Sequence, residues 1–220
     1  MCHVAVRFRS IFLVALVAGL STPAAGQSAE DAASGDQPAP TAPLSASAYV
    51  PATGAQRLTW IVDGTVGPRS LFIVGPLAVG LQTAFNMPSE WERSWNGVGK
   101  RYAEREADVA ISNTIEAGLG ALWGEEPRYI PSGRRGIGPR ARYAIKTAFL
   151  AQRRDGRLAP AWGRYAGNVV NNLIENAWLP PSATTPGQTI SRSVLGLLGR
   201  LGGNAWEEFW PDARRLLTKK

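Results

Sequence analysis

The stretch YAEREADVAISNTIEAGLGALW at residues 102–123 decides the fold class. Its apolar residues Val109, Ile111, Ile115, Leu119 and Leu122 recur at helical spacing, and Gly124 followed by Pro127 supplies the stop. Working toward the N-terminus, residues 57–66 predict a short amphipathic helix ended by Gly67-Pro68. Residues 69–86 are apolar and interrupted by Gly75-Pro76, which predicts a kinked helix or two half-helices. Ser89 and Glu92 have the spacing of a capping box that opens another helix.

Working toward the C-terminus, a Gly-rich basic loop at 131–139 precedes a predicted helix over 140–154 that closes at Asp155-Gly156. The same Asp-Gly pair suits a hairpin turn between two strands, although the Ala-rich flanks favour helix. Residues 161–179 predict a further helix ended by Pro180-Pro181. Thr185-Pro186-Gly187-Gln188 is a second capping box, opening a helix toward Phe209. No stretch alternates with the period of a strand. The expected architecture is mainly α, a compact domain of five to seven Gly-rich helices over residues 56–220.

The chain opens with Arg7 and Arg9, the apolar run Ile11 to Leu20, and Ala24-Ala25-Gly26. These are the parts of a secretory signal peptide over residues 1–26, cut before Gln27. The apolar run is too short for the roughly 20 residues of a spanning helix. Residues 27–55 are Ala, Pro, Ser, Gln, Gly and Asp with scarcely an aliphatic, and predict a disordered tether. The expected location is therefore exported, in the periplasm or membrane-associated in the cell envelope. The single cysteine and single histidine are Cys2 and His3, so a mature chain from residue 27 contains neither. That excludes disulfides, thiolate metal sites and imidazole general bases, and no catalytic residue is assigned.

Twenty of the 24 basic residues are Arg, and from residue 37 onward 22 basic residues face 14 acidic ones. Outside the cytoplasm nucleic acid is not the expected partner, whereas phosphate-bearing lipid is. The candidate anion- and lipid-binding residues are Arg134, Arg135, Arg140, Arg142, Lys146, Arg153 and Arg154. On a helix, Arg142, Lys146 and Arg153 lie within about 40° of one another, beside an apolar face of Ala141, Ala144, Ile145 and Ala148. That is the pattern of a helix lying on an anionic membrane, and equally of a solvated basic face.

Gly120/Gly124, Gly163/Gly167 and Gly199/Gly203 are each G-x-x-x-G, a spacing that permits close helix approach in lipid or in a soluble bundle. Trp91, Trp95, Trp123, Trp162, Trp178, Trp206 and Trp210 sit near predicted helix ends, where a membrane interface or a plugged helical core would place them. Charges inside the apolar segments favour interfacial or re-entrant association over spanning. Asn113/Glu116, Asn172/Glu175 and Asn204/Glu207 repeat Asn-x-x-Glu on three predicted helices. If their faces converged, Glu116, Glu175 and Glu207 would suit a divalent cation; the alternative is a buried polar network or three surface pairs. No other cofactor is expected. Gly97-Val98-Gly99-Lys100-Arg101 is not a phosphate loop, since Ser94 stands where its first glycine belongs.

Glu125-Glu126-Pro127-Arg128-Tyr129 and Glu208-Phe209-Trp210-Pro211-Asp212 resemble two short signatures of a family of exported bacterial proteins, an acidic residue before Pro-Arg-Tyr and Glu-Phe-Trp-Pro-Asp near the C-terminus. The resemblance implies a shared architecture over roughly residues 57–217 and brings no catalytic residue. The expectation is a non-catalytic envelope protein associating with anionic membrane lipid or an envelope protein partner. The alternatives are a carboxylate-dependent metal hydrolase of an envelope substrate and a soluble periplasmic scaffold.

Overall fold

The computed structural model describes residues 49–218. The expected signal peptide and residues 27–48 of the expected tether lie outside the described residues. The described residues are mainly helical, in the order α1 (Gly54–Val66), α2 (Gly75–Ala84), α3 (Trp95–Trp123), α4 (Ile137–Phe149), β1 (Leu150–Gln152), β2 (Leu158–Pro160), α5 (Trp162–Glu175) and α6 (Pro186–Thr218). The tether boundary needs correction. Tyr49 and Ala52 are docked on Glu126, and Thr53 caps α1 in a capping box with Gln56, so residues 49–55 of the expected tether belong to the packed structure.

The helix break falls at Gly67, where the sequence places it, and after it a π-helical turn, Ser70–Val74, runs directly into α2, so Gly75-Pro76 does not interrupt the helical path as expected. The Ser89 capping box does not open a helix. Ser89–Trp91 is one 3-10 turn, Glu92 has a φ of +51°, and Ser94 caps α3 instead, accepting from the Gly97 amide at 3.1 Å. The cause is Arg101, 0% exposed, whose guanidinium donates to the carbonyls of Met87, Pro88 and Glu92 at 2.9, 3.0 and 2.7 Å. Of these, the Glu92 carbonyl lies within the expected helix and is turned inward to the cation, while the Pro88 carbonyl also accepts the Trp91 amide in the 3-10 turn. At the other end of α3, Gly124 caps in the left-handed region with φ +74°.

The helix expected over 140–154 is also corrected. α4 runs Ile137–Phe149 and gives way to an antiparallel hairpin with Leu150 opposite Pro160 and Gln152 opposite Leu158. The Asp155-Gly156 turn is what the chain uses, with Gly156 at φ +78°. The Glu126 amide donates to the Gln152 carbonyl at 2.9 Å, so the ladder has a third participant that no local pattern reveals. α6 continues through Pro211 to Thr218, past the expected end near Phe209.

α3 is the central element, packed against α1, α2 and α5, while α6 packs on α4 and α5. At the α3/α5 crossing, a Cβ on Gly167 would stand 2.9 Å from the Ser112 carbonyl oxygen, and one on Gly163 would stand 3.1 Å from that of Glu116. The Gly163/Gly167 pair thus serves close helix approach. Gly199 has open space around it, so the third G-x-x-x-G is not such a contact.

The interior is inverted relative to an ordinary soluble domain. Among the described residues, the buried apolar side chains are Val79 and five alanines, whereas the largest fully buried side chains are Arg101, Glu126, Glu175, Asn171 and Pro127. Large apolar side chains face outward instead, among them Phe72 at 77%, Leu77 at 63% and Leu195 at 62% exposed. Gly167→Val is expected to cost about 2 kcal/mol or more by overpacking the crossing. Gly199→Ala is expected to stabilise by about 0.5 kcal/mol, through helix propensity alone. Thermal denaturation of the two variants checks the contrast, and equal effects would contradict the assigned interface.

Candidate functional site

The site is an ionic core built where α3, α5 and α6 meet. Glu116 on α3 accepts from Arg164 Nε of α5 at 3.0 Å and from Arg200 Nη2 of α6 at 3.1 Å. Arg164 also donates to the Thr147 and Ala148 carbonyls at 2.8 and 2.9 Å, satisfying groups that the end of α4 leaves open. Arg200 reaches the Pro127 carbonyl as well. One carboxylate and two guanidiniums therefore tie together α3, α4, α5, α6 and the loop after α3.

The two adjacent acids of that loop have different tasks. Glu125 accepts from the Trp162 and Gly163 amides at 3.2 and 2.8 Å, a carboxylate at the positive N-terminus of α5, and pairs with Arg153 at 3.3 Å. Glu126 accepts from the Ala52 amide, the Tyr49 hydroxyl and Arg128 Nε at 2.9, 3.1 and 2.7 Å. Burial pushes the Glu126 carboxyl up, but hydrogen bonds from Arg128 and the Ala52 amide outweigh it and hold the group below the usual carboxylate range. Burial, then the neighbouring Glu126 carboxylate, raises the Tyr49 phenol above its ordinary value.

The two motifs singled out in the sequence meet in space. Glu208, whose side chain is 2% exposed, accepts from Tyr129 Oη and Ser132 Oγ, each at 2.6 Å, and from Arg140 Nε at 2.8 Å. Arg140 also engages Asp212 and the Glu208 carbonyl. Burial raises the Glu208 carboxyl, yet the bonds from Ser132, Tyr129 and Arg140 prevail and bring it down to about 2. The Tyr129 phenol is raised, by burial first and then by its bond to Glu208.

A third polar group lies between α3 and α5. Asn171, 1% exposed, donates to Asp108 and, at 3.0 Å, to Glu175 Oε1. A small cavity of about 10 Å³ among Tyr129, Tyr143, Gln152, Arg164, Arg200 and Asn204 has room for one water molecule and for no substrate. An open groove of about 560 Å³ runs between Trp123, Arg153, Trp162, Tyr165 and Ala166.

The structure separates the candidate lipid-binding residues. Arg140 and Arg153 are committed to Glu208 and Glu125, and Arg153 also donates to the Trp123 carbonyl at 2.6 Å. Arg154 donates to the Ala121 carbonyl at 3.0 Å, and the Arg134 guanidinium lies over the Tyr143 ring at 5.5 Å. Arg135, Arg142 and Lys146 are exposed and form no ion pair among the described residues. Arg153 and Arg154 belong to the hairpin, so the expected stripe shortens to Arg142 and Lys146. Nor are the three Asn-x-x-Glu acids brought together. Glu116 serves Arg164 and Arg200, Glu175 lies beside Asp108, and Glu207 is exposed and pairs with Arg69 at 2.5 Å. Among the described residues, no group of three or more His, Cys, Asp or Glu side chains is arranged to hold a metal ion.

Sequence reasoning missed Arg101, Arg164 and Arg200 as interior residues, because an arginine on a helix reads as surface unless its partner is known. The motif around Glu126 and Tyr129 was the available signal. No family model, curated protein or solved structure matches the chain. The likeness to an exported family thus remains one of two short motifs.

Because the folded Glu208 carboxyl titrates at about 2 and an unfolded glutamate near 4.3, its stabilisation is complete above about pH 4.5 and is lost as the pH falls toward 2. Glu208→Gln should therefore lower stability at pH 7 and remove an acid-dependent component on the order of 3 kcal/mol. Denaturation of both proteins at pH 7 and pH 3 checks this. An unchanged acid sensitivity would contradict the assignment.

Proposed function

We propose that this protein is a non-catalytic component of the cell envelope that associates with membrane lipid. The observation that carries the reading is the inversion of the described residues, with arginine and glutamate inside and large aliphatic and aromatic side chains outside. A soluble domain leaves single apolar residues exposed, but contiguous apolar faces mark a surface that something apolar covers. The signal-peptide pattern at residues 1–26 supports a place outside the cytoplasm.

α4 supplies the contact with head groups. Its outer face carries exposed Ile145 and Phe149 beside exposed Arg142 and Lys146, with Arg135 just before the helix. An apolar strip bordered by cations suits the boundary between acyl chains and anionic head groups. The metal-hydrolase alternative draws no support from Glu116, Glu175 and Glu207, which point to separate partners.

The full-length protein is expected to float with lipid vesicles, and more strongly with anionic than with neutral ones. Replacing Arg135, Arg142 and Lys146 together by alanine should weaken anionic binding by about 1 kcal/mol per residue at low salt. The effect should shrink at about 0.5 M salt, where screening is strong. Arg140→Ala should instead lower stability, by leaving Glu208 without its cation. Flotation with neither kind of vesicle would overturn the lipid reading in favour of a soluble scaffold.

A further inference from the structure

Resting on that lipid reading, we infer that the bundle crosses the bilayer rather than lying on it, with its α4 and hairpin end at an anionic surface and its α2/α3 connection at the opposite one. The length fits. α3 has 29 residues, about 43 Å at the helical rise, against about 40–45 Å for a bilayer with its head groups. The α1–α2 path, Gly54–Ala84, returns antiparallel along it: Arg57 donates to the Ala117 carbonyl near one end, and Arg93, just before α3, to the Thr83 and Ala84 carbonyls at the other. By length and composition this path is apolar enough to cross a membrane, and only 28% of its most apolar window is buried.

The polar and aromatic groups sort to the two ends. Trp91, Trp95 and the charges of Glu90, Glu92 and Arg93 gather at the α2/α3 connection. Ser182, beyond α5, donates its amide to Glu90 at 3.1 Å, which brings the segment following Trp178 to the same end. Trp123 and Trp162 flank one groove at the other end, with the arginines of the hairpin beside them. Two interfacial tryptophan groups separated by apolar faces are what a spanning bundle presents. The faces between them are those of α2, α5 and the first half of α6, where Leu77, Leu81, Leu173 and Leu195 are each more than half exposed. Asp63 on α1 and the half-exposed Arg69–Glu207 pair interrupt the shell, so the span rests on α2, α5 and α6 rather than on the outer face of α1.

An apolar surround also accounts for the ionic interior. With hydrocarbon rather than water outside, nothing there would solvate separated charges, so buried pairs such as Glu116 with Arg164 find no better partners. The charge asymmetry sets the orientation, because exposed Arg135, Arg142, Lys146, Arg154 and Arg157 all lie at the α4 and hairpin end.

The test uses the full-length chain in a Cys2→Ala background, expressed in cells and recovered in sealed right-side-out membrane vesicles. Single substitutions Ser89→Cys at one end and Arg157→Cys at the other are treated with a membrane-impermeant maleimide before and after detergent. The expected result is that one of the two reacts before detergent and the other only after it, while Leu77→Cys in the shell stays unreactive until detergent is added. If both end residues react before detergent in membrane-bound protein, the span is overturned and surface association stands. If the protein is recovered in the soluble fraction, both the span and the lipid reading fall.

Discussion

A carboxylate removed from water must be met by a cation and hydrogen-bond donors, and in this molecule Glu116 imposes that demand at the centre. Breaking a buried pair by removing one partner costs about 3–5 kcal/mol, far more than the pair contributes against an apolar substitute. Arg164 and Arg200 answer Glu116 together, and through their other donors they fix the end of α4 and the loop at Pro127. The close α3/α5 crossing makes this geometry reachable. Glycine at 163 and 167 lets α5 approach the backbone of α3, which brings Arg164 within 3.0 Å of Glu116. Larger residues there would push the cation away from the carboxylate.

The same logic repeats at the edges of the core, with each acid joining segments distant in sequence. Glu126 holds the entering chain at Tyr49 and Ala52, Glu125 caps α5, and Glu208 gathers Tyr129, Ser132 and Arg140. With alanines and one valine as its buried apolar residues, the interior has little aliphatic volume to exclude from water. Orientation within the fold therefore comes from directional ionic contacts. The aliphatic side chains that usually drive folding are left on the outside, where, under the proposed membrane association, lipid in place of water would remove the penalty of their exposure.

This arrangement divides the arginines by task. Those at 101, 140, 153, 164 and 200 donate to carbonyls and carboxylates inside the structure, whereas Arg135, Arg142 and Lys146 remain outward. A basic composition alone would assign all of them to an anionic partner. The number of cations left free for an anionic partner is smaller than the composition suggests.

The sequence by itself determined the helical class, because apolar spacing, glycine stops and proline breaks are local signals that act within one or two turns. It also marked the segments around Glu126 and Glu208, although not that Tyr129 of the first would donate to Glu208 of the second. Only the tertiary structure decided the start of α3. Ser94 rather than Ser89 caps it, while Arg101 draws the Glu92 carbonyl between them inward. The hairpin at Asp155-Gly156 likewise outcompeted helix, because Gln152 accepts from Glu126, 26 positions earlier in the chain. Inversion was illegible for the same reason. An amphipathic pattern shows that a helix has two faces, but which one turns inward depends on whether the charged face finds partners on other helices, and such partners are separated here by dozens of residues.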